Sequence, residues 1–282
     1  MKLLSFAADG RPTYGAVKGT GVVDLGRRRL APPTLRALLE AGLADAAKVI
    51  ATEAPDYSLD AISYAPVIPD PGKIICVGLN YRDHVAEVGR TVTEKPALFA
   101  RFPTSQVGHL QPIIRPRVSD HFDYEGELAV VIGREGRHIG RADALAHVAG
   151  YSCYNEGSIR DWQGHTTQFL AGKTFDQSGS FGPWLVTTDD IPDPGNLTLE
   201  TRLSGQTVQK TTTDFMITDI PALIVYCSVI MTLLPGDVIV TGTPGGVGFR
   251  RNPPLYMRPG DTVEVEISGI GVLRNPVAAE SA

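Results

Sequence analysis

Cysteine is scarce in this chain. The three present, Cys76, Cys153 and Cys227, lie far apart in apolar stretches, a pattern that offers no disulfide framework or thiolate metal site and marks them as reduced core residues. Dense runs of lysine or arginine are missing, and the formal net charge is −5. That argues against sequence-independent nucleic-acid binding, which works by neutralising many phosphates, and points to a small-molecule partner. No apolar run reaches the roughly 20 residues a bilayer needs, so no membrane association is expected. The longest, residues 220–234, reads instead as a buried helix capped by Asp219, with Pro221 in its first turn and Pro235-Gly236 at its end. Met1 to Asp9 meets an acid after a few apolar residues and lacks the long apolar core of a secretory signal, which sets a cytoplasmic expectation. A phosphate loop and a dinucleotide fingerprint are absent too: Thr241-Gly-Thr-Pro-Gly-Gly-Val-Gly248 is glycine-rich but has neither the lysine nor the spacing.

What is present suffices for a substantial core. With 282 residues, 43% of them hydrophobic and 20% charged, the chain can form one large domain or two unequal ones. Residues 1–68 read as a small amino-terminal α/β unit, with strands near 2–6 and 21–25. A helix starts at about Thr34, its Leu35, Leu38 and Leu39 spaced as a core-facing stripe and Gly42 interrupting it. The run Ala65-Pro-Val-Ile-Pro-Asp-Pro-Gly72 resists helix and sheet alike and marks the boundary. From residue 73 to 282 short β-branched runs dominate, at 74–78, 128–133, 182–187 and 237–242, and two Pro-Gly-Asp turns each lead into a strand, the second with clean alternation over 262–267. The fold class is mixed α/β and β-rich, not a doubly wound sheet.

Phe122-Asp-Tyr-Glu-Gly-Glu-Leu128 holds the strongest chemical signal. Glu125 and Glu127 are two apart on a predicted strand, so both carboxylates project from one face and suit a hard cation. Glu156 follows in Tyr154-Asn-Glu-Gly-Ser-Ile-Arg-Asp-Trp-Gln163, and neither segment brings a histidine cluster. Such an all-oxygen set favours magnesium, manganese or calcium over zinc. Spacing alone also fits the wet face of an antiparallel strand, and Glu156 with Arg160 also fits an ion pair on a short helix. His84 precedes Glu87 by three residues, a spacing that lets the carboxylate orient an imidazole able to take a proton near neutral pH; a surface histidine beside a chance acid is the plainer alternative. Lys173 is either exposed scaffolding or a cation for an anionic substrate. The amides of the 241–248 turn either line a carboxylate site or merely turn the chain.

Four segments in this order resemble the fumarylacetoacetate hydrolase family: Lys73-Ile-Ile-Cys-Val-Gly-Leu-Asn-Tyr-Arg-Asp-His84, Asp123-Tyr-Glu-Gly-Glu-Leu-Ala-Val-Val-Ile-Gly133, Gly150-Tyr-Ser-Cys-Tyr-Asn-Glu-Gly-Ser-Ile-Arg-Asp161 and Pro235-Gly-Asp-Val-Ile-Val-Thr-Gly-Thr-Pro-Gly-Gly-Val-Gly248. The resemblance implies a β-sandwich roll after a small amino-terminal domain, commonly a homodimer, and a divalent metal, Mg2+ or Mn2+ with Ca2+ as a further option, held by Glu125, Glu127 and Glu156. The third ligand is normally aspartate; Asp161 reads as structural or capping. By the same resemblance His84 and Glu87 look like the dyad that activates water. Arg160, Gln163 and Lys173 look like the groups that hold the acid end of the substrate and polarise its oxygens, with Lys173 counted among the catalytic residues. Thr243 looks like a further carboxylate contact, and Arg101, in Phe99-Ala-Arg-Phe-Pro103, like another substrate contact at a place where related chains often carry lysine. The implied activity is metal-dependent hydrolysis of a carbon–carbon bond in a 2,4-diketo acid such as an acylpyruvate. Decarboxylation of oxaloacetate or isomerisation of an unsaturated keto diacid through a stabilised enolate is the alternative, and a keto-acid-binding protein without turnover is a third reading.

Overall fold

The computed structural model describes residues 1–28 and 32–281. Its spine is a large sheet whose strands lie in the order Tyr57–Ser58, Gly21–Asp24, Arg11–Lys18, Lys2–Ala8, Gly179–Thr187, Val148–Asn155, Gly126–Ile132, Val238–Val240, Ile74–Gly78 and Ala97–Arg101. Along this path neighbours are antiparallel except Val238–Val240 against Ile74–Gly78. A second sheet, Gln206–Thr212, Thr198–Leu203, Thr262–Ile267, Gly271–Ala279 and Ile113–Arg115, packs against one face. The β-rich mixed α/β class expected from the sequence is what the chain adopts.

The central strand Gly126–Ile132 explains the arrangement. Leu128, Val130 and Ile132 point into a core shared with Leu199, Val265 and Leu273 of the second sheet and with Leu223, Ile224 and Cys227 of the helix Ile220–Ile230. Ala129 and Val131 point the other way, onto Leu35, Leu38 and Leu39 of the helix Leu35–Ala41. A strand covered on both faces needs apolar residues at consecutive positions, which is why its sequence runs without alternation.

Residues 1–68 add strands to the same sheet, Lys2 and Leu3 opposing Val186 and Leu185. The proline-rich run 65–72 is packed down, with Val67 and Ile68 fully buried and Val67 O accepting from Ser5 Oγ at 2.8 Å. Several strands escape the pattern reading, among them Val148–Asn155, Ala97–Arg101 and four of the five in the second sheet; for Arg11–Lys18 the signal is present, since Asp9 and Gly10 both have positive φ, 51° and 74°, the Asp-Gly hairpin turn that pairs it with Lys2–Ala8. The 220–234 helix is shorter than expected. Asp219 does cap it, accepting from Ala222 N at 2.9 Å, but it ends at Ile230, because Met231 turns extended and Leu233 exchanges backbone hydrogen bonds with Gly136. Val229 and Ile230 are consequently about half exposed, at 52% and 50%. No helix among the described residues is long and apolar enough to cross a membrane.

Candidate active site

Two adjacent antiparallel strands assemble the acidic cluster. Glu125 and Glu127 flank the start of Gly126–Ile132, where Glu127 opposes Tyr154, and Glu156 lies just past the end of Val148–Asn155, its N–H donating to Glu125 O at 2.8 Å. One carboxylate oxygen from each of the three lies within 4.8 Å of the others. All three are buried, at 3%, 1% and 2% exposure, so this is not the wet face of a strand. Gly126, between the two glutamates, sits so close to the second sheet that a Cβ there would strike Thr201 Oγ1. At Gly242, φ is +103° and a Cβ would lie 2.8 Å from that of Asn80; the freedom this residue provides lets its N–H reach Glu127 Oε2 at 2.5 Å.

Two buried cations brace the acids. Arg160 donates from Nε to Asp123 at 2.8 Å, from Nη2 to Glu125 at 2.6 Å and from Nη1 to Gln163 Oε1 at 2.9 Å. The Glu156–Arg160 ion pair considered from the sequence does not form. Lys173 donates to Glu125 and, at 2.8 Å, to Glu156, and is buried rather than exposed scaffolding. Burial alone would raise the Glu125 carboxyl, but Arg160, Lys173 and His84 hold it well below the usual carboxylate range. The reverse holds for Glu127, which burial and then Glu156 and Glu125 push well above that range. Burial disfavours the Lys173 ammonium, yet Glu125 and Glu156 outweigh it and keep the group charged.

The donor set fits a hard divalent cation. Of the four buried carboxylates Asp123, Glu125, Glu127 and Glu156, Arg160 and Lys173 pair with three and leave Glu127 without an ion pair among the described residues, and Glu156 Oε1 is buried with no hydrogen-bond partner. A dication would supply the missing positive charge through oxygen ligands alone. Glutamate at 156, where the family resemblance implies aspartate, still brings an oxygen into the group. Asp161 is engaged elsewhere, accepting from Ser119 Oγ at 2.7 Å. Glu156→Asp is therefore expected to keep metal binding and most activity, and Glu156→Gln to lose most of both; a glutamine variant with wild-type manganese affinity by calorimetry would remove Glu156 from the ligand set.

His84 lies on the short helix Arg82–Glu87 and is buried, not a surface histidine. Its Nδ1 is 3.5 Å from Glu87 Oε2. The helix is tied to the glycine-rich turn: Gly245 N donates to Asp83 Oδ2 at 3.0 Å and Gly246 N to both Glu87 oxygens at 3.1 Å. Burial opposes ionisation of Glu87, but His84 and the Gly246 amide outweigh it and hold the carboxyl below its ordinary value.

A cavity of about 430 Å³ opens over this assembly. His84, Glu125, Glu127, Glu156, Arg160, Gln163, Lys173 and Thr243 all line it, with Phe99, Phe169 and Phe249 among its apolar walls. Thr243 is fixed by donating to Gly126 O at 3.1 Å and accepting from Gln209 Nε2 at 2.8 Å. Glu87 stands behind His84, off the wall. Arg101 is also off it, which corrects its reading as a substrate contact: the side chain is 2% exposed and donates to Gly157 O at 3.0 Å, Ser178 Oγ at 2.8 Å and Ser105 Oγ at 3.1 Å. Its four hydrogen bonds, two of them to Ser105, tie the turn after Glu156 to neighbouring backbone and hydroxyl groups. Sequence reasoning gave no role to Asp123, the partner of Arg160, although the two-residue register that picked out Glu125 and Glu127 includes it. Nothing in the sequence signalled Phe169, Phe249, Arg90 or Arg250 on the wall.

A strand-rich fold that opens a buried all-oxygen cluster into a cleft, with a carboxylate-backed histidine on the same wall, has the parts of a divalent-metal enzyme. The chain belongs to the fumarylacetoacetate hydrolase family: residues 73–278 match the fumarylacetoacetate (FAA) hydrolase C-terminal domain. Relatives similar to it include the mitochondrial oxaloacetate tautomerase Fahd2a of Rattus norvegicus, 41% identical over 98% of this chain and 91% of the relative, and the mitochondrial oxaloacetate tautomerase FAHD2A of Homo sapiens, 40% identical over 92% and 84%. Among solved structures, a putative HpcE protein from Mycobacterium smegmatis superposes with a TM-score of 0.89 at 35% identity, covering all of both chains. Maleylpyruvate hydrolase from Sphingobium sp. SYK-6, in complex with manganese (II) ion and pyruvate, does so with 0.83 at 28% identity, again over all of both chains.

Proposed function

We propose that this protein is a divalent-metal-dependent tautomerase that interconverts the keto and enol forms of a 2-keto dicarboxylic acid of the oxaloacetate type. The observation that carries this reading is the 41% identity to an oxaloacetate tautomerase over 98% of the chain. The required groups also share one cavity. Glu125, Glu127 and Glu156 would hold a divalent ion, which when bound would supply stabilisation of the negative charge that builds on the keto oxygen as the neighbouring carbon loses its proton. His84 takes that proton on the ring nitrogen not facing Glu87 and returns it to the oxygen or carbon end. Glu87, kept ionised, stabilises the imidazolium formed in between. Arg160 and Lys173 orient the substrate carboxylate, and the phenylalanine walls keep bulk water from the exposed carbanion.

Hydrolysis of a carbon–carbon bond in a 2,4-diketo acid is the second reading, favoured by the similarity to maleylpyruvate hydrolase; there the same His84 would activate a water instead. The test is a paired assay with Mg2+ or Mn2+: decay of the enol absorbance of oxaloacetate, and pyruvate release from an acylpyruvate. Accelerated enol decay without pyruvate release supports tautomerisation, whereas pyruvate release from the acylpyruvate overturns it. In either chemistry His84→Ala is expected to lower turnover by roughly 10²- to 10⁴-fold. Glu125→Ala should lose more, since it removes a cation ligand; a larger loss in the histidine variant would reverse that ranking.

A further inference from the structure

Four cations line the cavity, and two are engaged: Arg160 with Asp123 and Glu125, Lys173 with Glu125 and Glu156. Arg90 and Arg250 are different. Among the described residues neither makes an ion pair, in a chain whose acids outnumber its lysines and arginines by 31 to 26. A guanidinium left uncompensated on a cavity wall, with several donors free, is suited to an anion that the protein itself does not provide.

The two come from separate elements, and both are exposed on the cavity wall. Arg90 follows the helix Arg82–Glu87 and its N–H donates to Val85 O at 3.0 Å. Arg250 ends the 3-10 turn Gly248–Arg250, and its Nη2 donates to Val88 O at 2.6 Å, which fixes the arginine against the stretch that carries Arg90. Its guanidinium also lies 5.0 Å from the centre of the Phe249 ring, and the same ring has the Arg160 guanidinium at 4.3 Å. Phe249 thus links an inner arginine, bonded to Glu125, with an outer, exposed one.

We propose that Arg250 and Arg90 form a second anion subsite, which takes the distal carboxylate of a 2-keto dicarboxylic acid while its 2-keto carboxylate end faces the acidic cluster. The assignment of ends rests on the function proposed above. Arg250 and Arg90 are then specificity-determining residues: they favour a diacid over a 2-keto acid with a neutral tail, which the aromatic walls alone would accept.

The test compares two ligands that share the chelating head and chain length and differ only at the far end, 2-oxoglutarate and 2-oxopentanoate, by calorimetry on the Mn2+-loaded full chain. Wild type is expected to bind the diacid about tenfold or more tightly, the worth of one or two charge-assisted hydrogen bonds. The double variant Arg90→Met, Arg250→Met should bind both ligands alike, with affinity for 2-oxopentanoate unchanged as its own folding control, and lysine at both positions should restore part of the preference. In steady-state assays the same double variant should raise KM for oxaloacetate while leaving kcat within about twofold. Equal wild-type affinity for the two ligands, or a preference that survives in the double variant, overturns the subsite. Diacid preference without any tautomerase activity would instead sink the proposed reaction and leave the subsite standing, and tautomerase activity without the preference does the opposite.

Discussion

Glu127→Gln is expected to abolish tight manganese binding and to lower turnover by about 10³-fold or more, because one ligand of a Lewis-acid site is worth several kcal/mol of charge stabilisation. The variant keeps the shape of the site. Glutamine is isosteric, and its amide oxygen can still accept the Gly242 N–H that anchors Glu127 at 2.5 Å. What it removes is a charge in the wrong place for the metal-free protein. Burial first, then Glu156 and Glu125, raise this carboxyl well above its ordinary value, so between the unfolded value of about 4.3 and the raised one the folded state binds more protons than the unfolded state. Stability of the metal-free protein therefore falls as pH rises through that window. Glutamine lifts the penalty. At neutral pH in chelator the variant should melt no lower than wild type, while the rise in melting temperature that saturating manganese gives wild type should vanish. A variant that still gains stability from manganese would show that Glu127 is not a ligand.

The Glu125–Glu127 pair was legible in the sequence because its geometry is local, whereas Glu156 was assigned as the third ligand through the family resemblance. Glu125 and Glu127 share a face through the period of a strand, and the antiparallel partner strand delivers Glu156 in register. The burial of these acids was not legible, since alternation with polar residues reads equally as a solvent face, and only the second sheet meeting Gly126 decides between them. The same limit applies to Arg101. It shares a strand with Phe99 of the cavity wall, but the direction of its side chain follows from long-range partners, Gly157 and Ser178, that no local pattern specifies. The outer arginines lay beyond reach for a related reason: Arg90 and Arg250 line one cavity because the glycine-rich turn is bonded to the His84 helix through Asp83 and Glu87, and Arg250 to Val88 O. The apolar strands Ile74–Gly78, Gly126–Ile132 and Val238–Val240 were readable from β-branched runs, whereas the polar-rich strands Thr198–Leu203 and Gln206–Thr212 of the second sheet were not, and the helix that fell short at Ile230 did so because an apolar run records hydrophobicity, not where the backbone leaves the helix to pair with Gly136.

Lys173→Met is expected to destabilise the metal-free protein by about 3–5 kcal/mol, the usual loss when one partner of a buried ion pair is removed and the other is left without its counter-charge. Methionine nearly matches the length of the side chain, and its sulfur can rest on Phe99, whose ring centre lies 5.3 Å from the lysine nitrogen. The loss is therefore electrostatic rather than a cavity effect. Two acids, Glu125 and Glu156, share the one ammonium, and both belong to the group able to hold a cation. An added dication and the lysine thus draw on the same two carboxylates. In urea titrations the gap between variant and wild type should be widest in chelator and should narrow at saturating manganese, and the variant should bind manganese at least as tightly as wild type because one competitor for Glu125 and Glu156 is gone. Turnover should stay low despite full metal loading, since the ammonium that orients the substrate carboxylate is absent. A stability loss of the same size with and without manganese would mean that Lys173 and the metal do not share carboxylates, and with that the placement of the ion among Glu125, Glu127 and Glu156 would fail.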